Sequence, residues 1–217
     1  RKRVARGMAR PDYLTYLGEV LTPLSNAARV NPFTMFENVP EPDEIALVSG
    51  RNRVVGDPHL KSMVAKDGVN QSAAVLVMSF ELASELGLAD RAVFLRGFAE
   101  ASEQALLERA DLSTSPALRW AYDNAVASSG LAVSDIEAFD LYSCFPVAVI
   151  EAMEALRIDT DDQRPTSLTG GLPFFGGPGN NYSMHGIASA VSAIQEGQFS
   201  HVPVSYTHLR AHETSLH

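Results

Sequence analysis

The sequence predicts an α/β protein with a largely parallel sheet. Strand-like and helix-like stretches alternate along the chain. An unbroken apolar run from Ala73 to Phe80 has the length and β-branched content of a fully buried strand, and a second apolar stretch, Phe139–Tyr142, runs straight into a helix. At 217 residues, 46% hydrophobic and 20% charged, the chain has material for a substantial core.

Taken in order, Leu14, Leu17, Leu21 and Leu24, followed by Ala27 and Ala28, give helical spacing over Pro11–Val30, with an interruption expected near Pro23 and an end at Asn31-Pro32. From there to about Asp67 the composition is loop-like. Its one basic cluster, Arg51, Arg53, Lys61 and Lys66, suits either a solvated face or contacts to a phosphate-bearing ligand. After the 73–80 strand, Glu81–Leu86 reads as a helix that Gly87 ends in a left-handed cap, Ala92–Arg96 as a strand, and Glu100–Arg109 as a helix. Ser115-Pro116 supplies an N-cap and a first-turn proline for a helix running to Ser128, with Gly130 beyond it. Ser134 and Glu137 have capping-box spacing, so a brief turn precedes the strand at Phe139.

Phe139 to Ala190 organises the rest. Pro146 suits the first turn of the helix after the strand. The loop Thr169–Tyr182 carries five glycines and two prolines, which break both kinds of backbone ladder, and Ser183 is placed to cap the next helix. Two loop ends that each feed a helix N-terminus make a floor for an anionic or carbonyl-bearing ligand.

The net charge of −9 and pI near 5.1 argue against a nucleic-acid binder, which needs a concentrated positive face. No apolar run approaches the ~20 residues of a membrane span. A single cysteine, Cys144, allows no intrachain disulfide and fits a reducing cytoplasm. The absence of a starting methionine reads as a start inside a longer protein. The stretch from Val204 to Thr214 reads as a translated transposase mosaic-end sequencing adaptor, so 204–217 is expected to be a non-native tail, and His208, His212 and His217 no metal site. Asp159, Asp161 and Asp162 lack calcium-loop spacing, and no metal site is expected elsewhere.

Three segments in order, Asn70–Ser79, Phe139–Phe145 and the glycine loop Gly170–Asn181, resemble the thiolase superfamily, in particular the sterol-carrier-protein-type thiolases and their thiolase-like relatives. In that family they correspond to S-D-G-A-A-A before an apolar run, to N-E-A-F or H-D-C-F, and to G-G followed by G-H-P. The resemblance covers about Tyr13 to Val202. It implies a thiolase-like α/β fold in α/β/α/β/α layers, incomplete here, with 1–90 closing the N-terminal half and 91–203 a partial C-terminal half. The activity it implies is acyl transfer on acyl-CoA thioesters, by thiolytic cleavage or Claisen condensation through an acyl-cysteine outside these residues. Coenzyme A is then substrate or product, and no resident cofactor is implied. A homodimer or a partner-domain association in the full-length protein is also part of what the family implies.

Carried over residue by residue, Tyr142 stands where the family has Asn or His holding a catalytic water or carbonyl. Gly177, within Gly176-Gly177-Pro178, stands where the activating histidine of G-H-P belongs; His185, a few residues on, is the candidate to replace it. Gly176, Gly177, Asn180 and Asn181 are the substrate-binding candidates, the asparagines either donating to a thioester carbonyl or tolerating left-handed backbone. Cys144 matches the cysteine of H-D-C-F, read as a small buried hydrophobe or a reactive thiol. The alternative to an acyltransferase is a non-catalytic acyl-CoA-binding subunit that has lost the histidine.

Overall fold

The computed structural model describes residues 2–206. Its helices are α1 (Lys2–Ala5), α2 (Arg10–Val30), α3 (Pro42–Ile45), α4 (Phe80–Glu85), α5 (Pro116–Ser129), α6 (Pro146–Leu156), α7 (Gly171–Phe174) and α8 (Tyr182–Gln195). Two short antiparallel strands, β1 (Val54–Gly56) and β2 (His59–Leu60), form a hairpin through a cis Asp57–Pro58 bond. No helix among the described residues is long and apolar enough to cross a membrane.

The core forms where α2 and α6 meet the strand-like segment 138–142. Leu17, Leu21 and Leu24 from α2, Val149, Ile150 and Leu156 from α6, and Phe139, Leu141 and Phe174 are all nearly or fully inaccessible. The leucine spacing explains this, because positions three and four apart share one face of α2. Pro23 does not interrupt that helix, a departure from the sequence expectation. A proline forfeits one backbone bond, and here the buried leucines on either side hold the helix through it.

Phe139–Leu141 is a strand in its bonding. Phe139 N–H donates to the Pro165 carbonyl (2.7 Å) and Leu141 N–H to that of Thr166 (3.0 Å) on one side. On the other, Asp140 N–H donates to the Pro203 carbonyl (3.0 Å), and Ser205 N–H donates to the Asp140 carbonyl (3.0 Å). A parallel bridge pairs Asp140 with Val204. The first residues of the stretch read as adaptor therefore lie bonded against the central strand: Tyr142 N–H also donates to Ser205 Oγ (2.9 Å). Nothing supports the adaptor reading, and the three histidines beyond Tyr206 lie outside the described residues.

Elsewhere the expected strands lack partners. Residues 73–79 and 92–96 carry no sheet ladder, and Leu76 and Val77 are 86% and 92% exposed. A strand exists only through neighbours that take its N–H and C=O groups, and periodicity does not supply them. The helix expected over Glu100–Arg109 is also absent; Leu106 and Leu107 stay exposed, with no apolar face to bury them. The expected caps fare better. Ser79 Oγ accepts from Leu82 N–H (3.2 Å), Ser115 Oγ from Leu118 N–H (3.3 Å), and Gly87 and Gly130 adopt φ of 70° and 71°. The turn before Phe139 is capped by Asp135, whose carboxylate accepts from Ala132 N–H (2.8 Å), rather than by the Ser134/Glu137 box.

Gly170 marks where the glycine loop crosses α2. Its φ is 112°, and a Cβ there would sit 2.4 Å from that of Ala28. Gly170→Ala is expected to cost on the order of 2 kcal/mol or more in chemical denaturation. Gly50→Ala, where a Cβ meets nothing within 4 Å, is expected to leave the midpoint almost unmoved.

Candidate functional site

The site is built around a buried carboxylate. Asp140 lies in the strand between Phe139 and Leu141 with no exposure. Its Oδ2 accepts from Ser167 Oγ (3.0 Å), Leu168 N–H (2.9 Å), Thr169 N–H (2.9 Å) and Thr169 Oγ1 (3.0 Å). Its Oδ1 accepts from the Tyr182 hydroxyl (3.2 Å) at the start of α8. Burial pushes the Asp140 pKa up, while the donors from Thr169, Leu168 and Ser167 pull the other way. These bonds tie the start of the glycine loop and the first turn of α8 to one strand residue. The sequence reading passed over Asp140; its signal is a lone carboxylate inside a short apolar strand.

The glycine loop is more regular than its composition suggests. Gly170 and Gly171 both have positive φ and admit a single helical turn, α7, and a 3-10 turn spans Gly179–Asn181. α8 begins at Tyr182, one residue before the serine expected to cap it. Leu172 N–H donates to Ser143 Oγ (3.0 Å) and Gly177 N–H to the Lys66 carbonyl (2.8 Å). Ala65 N–H donates to the Cys144 carbonyl (3.0 Å), so residues 65–66 bridge the cysteine turn and the loop. The Lys66 ammonium donates to the Pro173 carbonyl and lies over the rings of Phe36 (5.2 Å) and Phe174 (5.6 Å). Burial first, and Lys61 second, bring its pKa down to about 8.

Tyr142 is half-buried beside the Cys144 thiol, edge-on to Tyr182 (6.0 Å) and Tyr206 (5.5 Å). Burial, reinforced by Cys144, pushes its phenol up to about 12, and burial raises the Cys144 thiol too. His185 is buried in the first turn of α8, edge-on to Phe175 (5.3 Å), and its Nε2 has no hydrogen-bond partner among the described residues. Burial lowers its pKa, so the ring is neutral at physiological pH. The site thus groups Tyr142 with Cys144 and Tyr182, whereas His185 faces Phe175.

The four binding candidates separate. Gly176 has φ of 136°, and a Cβ there would sit 2.2 Å from Gln71 Oε1, whose Nε2 donates to the Phe33 carbonyl (2.9 Å). Gly177 is closed in: a Cβ would lie 3.2 Å from the Lys66 carbonyl and 3.3 Å from Leu172. Asn180 is exposed. Asn181 is committed to protein, its Oδ1 accepting from Ala73 N–H (2.9 Å) and its Nδ2 donating to the Ala73 carbonyl (3.4 Å). The left-handed residue of this turn is Gly179, with φ of 55°.

A cavity of about 450 Å³ opens at the Cys144–Phe145 corner, facing the β1–β2 hairpin across Val64 and Ala65. His59 lines it from the hairpin and packs on Phe145 at 5.3 Å. No local pattern in the sequence distinguishes this histidine.

The fold is that of a thiolase-like α/β protein. The chain superposes on a monomeric SCP2-thiolase-like protein type 1 from Mycobacterium smegmatis with a TM-score of 0.80 and 40% identity, covering 90% of this chain and 43% of that one. It also matches the Ltp2-ChsH2(DUF35) aldolase with a TM-score of 0.63 at 17% identity, over 94% of this chain and 57% of that one, a likeness of fold. The chain therefore spans less than half the length of the SCP2-thiolase-like protein, and that likeness supports the thiolase-like family. No protein-family model and no curated protein matches the chain.

The Lys66 amine gives the loop a pH signature. Its folded pKa of about 8 lies below the ordinary 10.5, so below pH 8 the folded chain bears the cost of a desolvated ammonium. Between pH 8 and 10.5 the folded state gives up this proton before the unfolded state does, and the cost fades. Lys66→Met is expected to be more stable than wild type at pH 7, on the order of 2 kcal/mol. That difference should shrink as the pH rises toward 10.5, as read from urea midpoints.

Proposed function

We propose that this chain is part of a thiolase-superfamily acyltransferase, close to the SCP2-thiolase-like proteins, that acts on acyl-CoA thioesters. The observation that carries the reading is the meeting of the Tyr142–Phe145 turn with the glycine loop, in a fold 40% identical to an SCP2-thiolase-like protein. Coenzyme A enters as substrate or product. A nucleophilic cysteine supplied from outside these 217 residues attacks the thioester carbonyl, the acyl group moves to sulfur, and the coenzyme A thiol leaves with a proton. Within this chain the phenol of Tyr142 serves as a hydrogen-bond donor to a carbonyl, since a group held near pKa 12 stays protonated at neutral pH. His185, uncharged and in the first turn of α8 rather than in the loop, with an Nε2 unpartnered among the described residues, is the proton acceptor on this reading. A division near residue 90 between two thiolase halves, and pairing with a second copy or a partner domain, belong to the same proposal.

Gly177 favours a second reading. The position that carries the family's activating histidine is here packed against the Lys66 carbonyl and Leu172, leaving a side chain little room. On that reading the chain binds acyl-CoA without turning it over, as a subunit beside a catalytic partner.

Calorimetry with acetyl-CoA and a longer acyl-CoA on the full-length protein, paired with a thiolysis assay, separates the two. Turnover with binding is expected for the acyltransferase, and binding without turnover supports the subunit. No binding of either thioester sinks both. Tyr142→Phe is expected to lower turnover about tenfold to a thousandfold while leaving binding nearly unchanged, as removal of one carbonyl donor does.

A further inference from the structure

Lys66 carries an amine held among uncharged groups. The glycine loop clamps its backbone from both sides: Lys66 N–H donates to the Leu172 carbonyl (3.2 Å), and the Lys66 carbonyl accepts from Gly177 N–H (2.8 Å). The side chain therefore leaves from a fixed point. Its ammonium donates to the Pro173 carbonyl and lies over the rings of Phe36 (5.2 Å) and Phe174 (5.6 Å). α7, which supplies that carbonyl and one ring, has no titratable residue, and the flanking carboxylates Glu37 and Asp67 are exposed. Among the described residues no carboxylate comes within ion-pair distance of Lys66, whereas Lys2 pairs with both Glu151 and Glu154. Lys61 is the charged group that acts on Lys66, and a like charge disfavours the ammonium further. The residue nevertheless keeps part of its surface open to solvent.

We propose that the Lys66 amine is a site of covalent modification, acylated at Nζ by small diffusing donors that carry an activated acyl group, a thioester or an acyl phosphate. The neutral nitrogen attacks the acyl carbonyl and forms the C–N bond of an amide. The C–S or C–O bond to the leaving group breaks, the thiolate or phosphate departs with the electron pair, and the surplus nitrogen proton passes to it or to water. No oxidant or further reactant is needed. A desolvated amine without a counter-ion is the form of lysine suited to this, because only the unprotonated nitrogen is a nucleophile. At pH 7.5 about a quarter of an amine with a pKa of about 8 is neutral, against about one part in a thousand for an ordinary lysine. The product is uncharged, so it loses the attraction that seats the ammonium over Phe36 and Phe174. The inference stands apart from the acyltransferase reading, since a freely diffusing donor suffices.

The sequence carries three lysines, Lys2, Lys61 and Lys66, so two of them serve as references within the same molecule. The full-length protein is incubated with acetyl phosphate and, separately, with acetyl-CoA, and acetylation of each lysine peptide is followed by mass spectrometry. At pH 7.5 Lys66 should be acetylated at least about tenfold faster than Lys2 or Lys61. Its rate should rise with pH and level off above about 8, where an ordinary lysine amine still gains about tenfold per pH unit. In concentrated urea the preference for Lys66 should vanish, a control that needs no variant to fold. Preference with one donor alone supports the reactive amine and assigns it that class of donor. Rates at Lys66 no greater than at the two references with either donor overturn the proposal, as does a preference that survives in urea or a Lys66 rate that keeps climbing past pH 9. Acetylation of Lys66 by acetyl phosphate in a protein that neither binds nor turns over acyl-CoA would leave this site standing while removing the function proposed above.

Discussion

A carboxylate with no exposure and, among the described residues, no cation paired with it has to be satisfied by hydrogen bonds, and Asp140 is satisfied by residues that the architecture would otherwise leave unconnected. Ser167, Leu168 and Thr169 are drawn to one oxygen and Tyr182 to the other. The glycine loop between those anchors is therefore fixed at both ends by one strand residue. Its apex is held separately, by Ser143 and by the backbone of Lys66. The corner at Tyr142–Phe145 inherits its position from this arrangement, being two to five residues along the chain from the same carboxylate.

Burial sets the chemistry of the corner as well as its shape. Tyr142 and Cys144 are both pushed upward, toward the uncharged form, and His185, away from the corner against Phe175, is pushed downward to the same effect. The Lys66 ammonium is directed at a carbonyl and two rings rather than at the corner.

Features set by adjacent residues were legible in the sequence. Serine caps at Ser79 and Ser115, the glycine stops at Gly87 and Gly130, and the leucine face of α2 all need only near neighbours, and all are present. Features set by distant partners were not. The 73–80 run is apolar enough for a strand but finds no ladder among the described residues, and Leu106 and Leu107 find no face to complete a helix. The candidate site divides along the same line. Tyr142 and the glycine loop could be found by motif and do meet through Tyr182, but Asp140 acquires its role from residues about thirty positions away.

Asn181 spends its side chain in an unusual way. A carboxamide has the donor and acceptor of a peptide group, and this one meets both the N–H and the C=O of Ala73. It acts as a neighbouring strand one residue long. Such a contact pins the chain at a single point without dictating what pairs with residues 74–79. Their alignment is thus referenced to the first turn of α8, and any strand laid beside them takes its starting position from the glycine loop.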